Sequence, residues 1–274
     1  MFGCVKNRRN AACGLALVAA ATLATVSPSA ATTMSGACGP LVTSTADYTD
    51  GPSDLPAPCT LPRGATLLET LYYQNASKIG GTALAAYPLL RVRSALVSRL
   101  EFVLDAPSQV AESGHAGAGL YPVTPLGFGA AYTALEAGRA ALSLHAEDLP
   151  PASRFVPSHS QSKYSLGATP VYLLTPRLSL NGLLGAATSR TGSSHLYSTS
   201  GIGLALAMDP ALRLSADIGD RFVMQHAAAQ RFGDAAIADQ ISQNTLFNFG
   251  LGTAFNSVAR SKAHYVALGM SYRR

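Results

Sequence analysis

Between Ala211 and Phe222 the side chains alternate in kind. Leu212, Leu214, Ala216 and Ile218 are apolar, and Arg213, Ser215, Asp217 and Gly219 between them are polar or small. A strand sends successive side chains to opposite faces, so this spacing makes one greasy face and one polar face, whereas a helix would mix the two sets. The same period returns along the chain. Leu100, Phe102 and Leu104 stand against Arg99, Glu101, Val103 and Asp105. Leu178, Leu180, Leu184 and Ala186 stand against Arg177, Ser179, Asn181 and Gly185. Ile202, Leu204, Leu206 and Met208 oppose Gly201, Gly203 and Ala205, and Val266, Leu268, Met270 and Tyr272 oppose Ala267, Gly269, Ser271 and Arg273.

Alternation decides how the chain can use its apolarity. Hydrophobic residues make up 48% of the sequence and charged ones only 13%, which is lean in charge for a soluble domain of this length. Past the first thirty residues, no apolar stretch reaches the ~20 residues of a spanning helix. Strands of about ten residues, greasy on one side, cross a bilayer at a tilt once a sheet closes on itself. A soluble β-sandwich or barrel would carry the same alternation, with the apolar faces packed on one another. The polar faces here are rich in Gly, Ala and Ser, and Lys is rare along the strands, which suits an enclosed lumen better. The expected fold is all-β: an up-and-down antiparallel transmembrane barrel of about twelve strands in the outer membrane.

The first thirty-one residues read as a leader. Lys6, Arg8 and Arg9 precede an uncharged apolar run from Ala11 to Val26, Pro28 breaks it, and Ser29-Ala30-Ala31 offers a small-residue cleavage site. A secretory signal spanning 1–31 is expected, then an irregular Pro-, Ser-, Thr- and Gly-rich segment over 32–63 on the periplasmic side, placed where it could tuck toward the barrel mouth and gate it, then the barrel over 64–274. Cleavage near Ala31 removes Cys4 and Cys13 and leaves Cys38 and Cys59, which an oxidising compartment pairs. No His or Cys lies near that pair at ligand spacing, so it reads as a staple and not a metal site.

Connections are expected to be short at one end and long at the other. Tight turns read at Glu136-Ala137, Thr175-Pro176 and Asp209-Pro210, and longer polar segments at 106–125, 147–162, 189–197 and 223–233. The weakest strand, Asp234–Ile241 with a turn at Ser242-Gln243-Asn244, brings the count to an even number.

If the greasy faces meet lipid, the lumen takes Arg91, Arg93, Arg99, Glu101, Asp105, Arg213, Asp217 and Arg273. Arg91 and Arg93 precede Glu101 and Asp105 across a short turn, so cross-strand ion pairs are expected. Such pairs either fill the barrel or form a charged constriction that selects solutes. Ser143 and His145 share a face, but Leu142 and Leu144 take the lipid side and leave that pair in the lumen without an orienting partner, so catalysis is not expected. The six His are scattered without metal spacing, and no cofactor is expected. Gly201-Ile202-Gly203 and Gly250-Leu251-Gly252 lie within strands and are not nucleotide loops. A net charge of +5, part of it in the leader, gives no ground for nucleic-acid binding.

Tyr87-Pro88-Leu89-Leu90-Arg91-Val92, followed by Val97-Ser98-Arg99-Leu100-Glu101-Phe102, together with the closing Leu268-Gly269-Met270-Ser271-Tyr272-Arg273, resembles the outer-membrane family named for the MetA pathway of phenol degradation. The family's final aromatic is replaced here by Arg274, which leaves Tyr272 to carry the signal read by the barrel-assembly machinery. The resemblance implies a passive channel for small solutes, aromatic or hydrophobic compounds among them, with outer-membrane lipid as surroundings. A barrel with a filled lumen acting through its outer loops, and a lipid-acting enzyme, are the alternatives.

Overall fold

The computed structural model describes residues 38, 48, 49, 55–77, 83–106, 109–113, 119–122, 126–148, 161–191, 193–223, 228–256 and 261–274. All of them belong to one compact unit, Ala31–Arg274. The expected leader, residues 1–31, lies outside the described residues.

Fourteen strand segments follow in chain order: β1 (Thr66–Ser77), β2 (Ala83–Val97), β3 (Leu100–Asp105), β4 (Gln109–Ser113), β5 (Gly119–Pro122), β6 (Gly127–Ala137), β7 (Ala140–Asp148), β8 (Gln161–Thr175), β9 (Leu178–Thr191), β10 (Ser193–Ala207), β11 (Leu212–Val223), β12 (Ala228–Gln240), β13 (Thr245–Asn256) and β14 (Ser261–Arg273). They form one antiparallel sheet. β3 and β4 both pair with β2 and make one interrupted stave, and β5 and β6, paired with β4 and β3, make the next. The wall therefore has twelve staves. It closes where β1 pairs with β14, and the seam is finished by reciprocal backbone bonds between Thr66 and Arg274 at 3.0 and 2.8 Å. Pairing of the first and last strands closes the wall, which a structure spanning hydrocarbon requires.

The alternation puts apolar side chains outside on every side of the ring. Leu68, Phe102, Phe128, Leu144, Leu166, Leu184, Ile202, Leu204, Ile218, Leu251 and Met270 are all exposed. Exposed aromatics mark both borders of this band: Tyr164 and Tyr172 lie on β8, and Phe247 and Phe255 on β13. Each pair is eight residues apart, ~26 Å along a strand, and a tilt of ~40° brings that to about 20 Å of height, close to an outer-membrane apolar band. No helix is long and apolar enough to cross a membrane among the described residues. The protein is an outer-membrane-type β-barrel that crosses with strands.

The expected weak strand is β12, which runs from Ala228 to Gln240, and its turn holds together through Ser242 Oγ accepting the Thr245 N–H at 3.1 Å. Three expectations are corrected. The β6–β7 turn is Gly138-Arg139 and not Glu136-Ala137, because a bulge between Thr133 and Leu135 shifts the register and Gly138 takes φ +56°. The segments 189–197 and 223–233 are largely strand, since β9 and β10 pair out to Thr191 and Ser193, and β11 and β12 to Val223 and Ala228. Their polarity reflects staves that rise past the apolar band into water. The 106–125 segment likewise contains β4 and β5.

Inside the barrel lies a small apolar core. Cys38, Tyr48, Cys59 and Leu61 from the N-terminal segment pack with Leu67, Ala95, Ala141 and Val171 of the wall. Cys38 and Cys59 form the expected disulfide.

Candidate functional site

The N-terminal segment is expected from the sequence to be irregular chain on the periplasmic side, with the option of tucking toward the barrel mouth. Its described residues, Cys38, Tyr48, Thr49 and Leu55–Pro62, are irregular and sit within the lumen, in the half where the tight turns lie. Wall side chains hold them there. Ser143 Oγ donates to the Pro58 carbonyl at 2.7 Å, and the Thr60 and Thr133 hydroxyls meet at 2.8 Å. Glu101 Oε2 accepts the Leu61 N–H at 2.9 Å. Thr49 Oγ1 donates to Glu69 Oε1 at 2.7 Å and lies 3.0 Å from Ser271 Oγ. Arg93 Nη1 donates to the Tyr48 carbonyl. Leu55 covers Gly201 and Gly203, and a Cβ at Gly203 would come within 2.7 Å of its methyl group. The described residues of the segment lie in no strand, so their backbone groups need other partners once buried, and the polar face of the wall supplies them.

Two charged clusters stand above and beside this plug. Arg91 and Asp105 are cross-strand partners and bind through Nε–Oδ1 at 2.7 Å and Nη2–Oδ2 at 3.0 Å, with Glu147 Oε2 3.3 Å from the same guanidinium. Arg93, only 3% exposed, binds Glu101 through Nε–Oε1 at 2.5 Å and Nη2–Oε2 at 3.2 Å, with Glu69 Oε2 at 3.7 Å. The cross-strand pairing expected from the turn between β2 and β3 is therefore present, and each arginine also gathers a second carboxylate that the sequence reading did not assign to it.

The remaining candidates are dispersed. Arg99 occupies the β2–β3 turn at φ 67° and pairs with Glu136 at 3.1 Å at the tight-turn rim, where Glu136 shares the inward phase of its partner Ala141. Asp217 is buried on the wall directly opposite Asp234 of β12. Arg213 borders a small cavity between Pro58 and Cys59 on the plug and Val171, Ser179 and Ala205 on the wall. Arg273 donates to the Gln243 carbonyl at 3.2 Å, at the tight-turn rim.

In the loop-side half, large lumen side chains lie flat across glycines of the neighbouring stave. His145 lies over Gly167, Phe232 over Gly219 and Tyr265 over Gly252, so that a Cβ at any of these glycines would collide with the ring. Tyr265 also donates to Asp234 Oδ2 at 2.7 Å. Ser143 and His145 share a face as expected, but the serine hydroxyl is committed to the plug carbonyl and the imidazole to the wall over Gly167. No group of three or more metal-ligating side chains occurs among the described residues.

Glu69, Thr133, Ser143 and Ser271 as plug anchors were missed by sequence reasoning. Each is polar on the inward phase of its strand, which marks a wall position, but nothing local shows what the wall faces.

No protein-family model and no curated protein matches the sequence. Solved structures do match in fold. An outer membrane channel from Pseudomonas putida F1 superposes with a TM-score of 0.59 at 15% identity, over 78% of this chain and 97% of that one. The NanC porin superposes with a TM-score of 0.50 at 6% identity, over 74% of this chain and 98% of that one. At such identities the likeness is one of architecture.

Proposed function

We propose that this barrel is an outer-membrane channel for the passive passage of small solutes, closed at rest by its own N-terminal segment. The observation that carries the reading is the way that segment is attached. The bonds described above reach it through wall side chains, from Glu69, Arg93, Glu101, Thr133, Ser143 and Ser271, while the staves complete their ladder and their seam with one another. A stopper that contributes no stave can leave the lumen and still leave a closed wall behind.

Small aromatic or hydrophobic compounds are the solute class this reading favours. Phe232 and Tyr265 present rings on the lumen wall of the loop-side half, and the segments around Arg91–Phe102 and Leu268–Arg273 resemble the phenol-degradation outer-membrane family. The disulfide would keep the plug compact in the periplasm, and the leader over 1–31 would deliver the chain there.

Planar-bilayer recording tests the reading. The full chain is expected to open rarely, and a variant lacking Met34–Pro62 to give steady current steps. Liposome swelling with phenol-sized aromatics against sugars of equal mass then tests the solute class. The tight burial of Glu101 and Thr133 under the plug, both 0% exposed, favours the second reading, a barrel permanently filled. A deletion variant that still migrates as a heat-modifiable folded barrel yet carries no current would leave that second reading standing.

A further inference from the structure

The hold on the plug converges on three charges from three adjacent staves: Glu69 of β1, Arg93 of β2 and Glu101 of β3. Each of them works in two directions. Arg93 spans Glu101 and Glu69 within the wall, and gives its Nη1 to the Tyr48 carbonyl of the plug. Glu101 takes Arg93 and, on Oε2, the Leu61 N–H at 2.9 Å. Glu69 faces Arg93 and accepts the Thr49 hydroxyl at 2.7 Å. One cluster thus grips two separate stretches of the plug, 48–49 and 61, and the Cys38–Cys59 bond ties the chain flanking both.

The other anchors differ in kind. Thr133, Ser143 and Ser271 act through single neutral hydroxyls. Hydrogen bonds to ionised groups are about twice as strong as neutral ones. Buried charges also need their full set of partners, so in the closed state part of what satisfies Glu69, Arg93 and Glu101 is supplied by the plug itself. The charges within the cluster hold one another in position, so losing one member loosens both stretches together.

Resting on the channel reading above, we propose that Glu69, Arg93 and Glu101 form the release point of the plug, a single charged clasp whose integrity sets how often both stretches leave the lumen. The hydroxyl anchors orient the plug, and the clasp determines its residence.

The test uses the full chain in planar bilayers. Arg93→Met is expected to raise open probability by about tenfold or more, because it leaves two buried carboxylates without their cation. Thr49→Val, which removes the plug-side hydroxyl that meets Glu69 and Ser271 and leaves all three wall charges intact, is expected to raise it by less. A Thr60→Cys/Thr133→Cys pair distinguishes release from a change in the pore. Those hydroxyls sit 2.8 Å apart, so sulfurs placed there can bond once oxidised and tether the plug to the wall. In that locked background both increases should vanish.

Folded Arg93→Met protein with unchanged open probability would overturn the clasp, provided the variant lacking Met34–Pro62 conducts. If the deletion variant does not conduct, the channel reading fails instead. Should Arg93→Met not fold, Thr49→Val and Arg93→Lys carry the test, and unchanged opening in both overturns the proposal. An increase that survives the oxidised lock also overturns it.

Discussion

Ile218 lies midway along β11 and is 65% exposed on the outward face, while its neighbour Asp217 is buried on the inward face. Ile218→Arg therefore asks directly what surrounds the barrel. If the surroundings are hydrocarbon, an arginine at mid-depth costs ~2–4 kcal/mol. That is roughly a 30- to 1,000-fold loss in the folding equilibrium at 1.4 kcal/mol per tenfold. In water, the same exchange at an exposed site would fall within about 0.5 kcal/mol of zero. Depth supplies an internal control. Phe255, near the loop end of β13, is also exposed, and Phe255→Arg should cost only ~0–1 kcal/mol at the interface. The measurement is a denaturant titration in phospholipid vesicles, following the fraction that keeps the heat-modifiable folded mobility. Equal midpoints for the parent, Ile218→Arg and Phe255→Arg would refute the assignment of the greasy face to lipid, and the channel would fall with it.

Replacing Cys38 and Cys59 by Ser opens a loop whose ends are 21 residues apart, with ~3 kcal/mol at stake in the chain-entropy account. The expected result is faster proteolysis within the N-terminal segment with unchanged barrel mobility, and equal cleavage rates would count against a stapled plug. Gly252→Val places a side chain where the Tyr265 ring lies, so the ring must leave Asp234. A loss of about 1–3 kcal/mol is expected in the same vesicle titration, and an unchanged midpoint would mean the ring does not rest on the wall. Arg91 and Arg93 each face two carboxylates, and Asp217 faces Asp234. The channel lacking Met34–Pro62 should therefore prefer cations in a KCl gradient, and Asp217→Asn with Asp234→Asn should weaken that preference. A reversal potential of anionic sign would refute the charge reading.

Much of the wall was legible in the chain because each strand carries its own orientation. In β11, Leu214, Ala216 and Ile218 point out and Asp217 points in, as their spacing alone implies, and the Arg91–Asp105 pair follows from two strands and a two-residue turn. Errors arose where local geometry breaks the period. Arg99 sits at φ 67° in a tight turn, outside the strand period, and meets Glu136 at the rim. The bulge before Leu135 moved the next turn onto Gly138 for the same reason. Polar stretches such as 189–197 were read as loops because polarity alone does not distinguish a loop from a stave that has risen into water.

What the amino-acid order determined by itself is the set of properties that depend only on neighbours a few residues apart: period, face and the pairing of adjacent strands. The bonds that hold the N-terminal segment inside the lumen were decided elsewhere. Pro58 meets Ser143 across 85 positions and Thr49 meets Ser271 across 222, and no local pattern encodes contacts of that span. They exist because closure of the sheet gathers the inward faces of many staves around one space. Only then do scattered hydroxyls and charges become a lining that an otherwise unsatisfied peptide segment can enter.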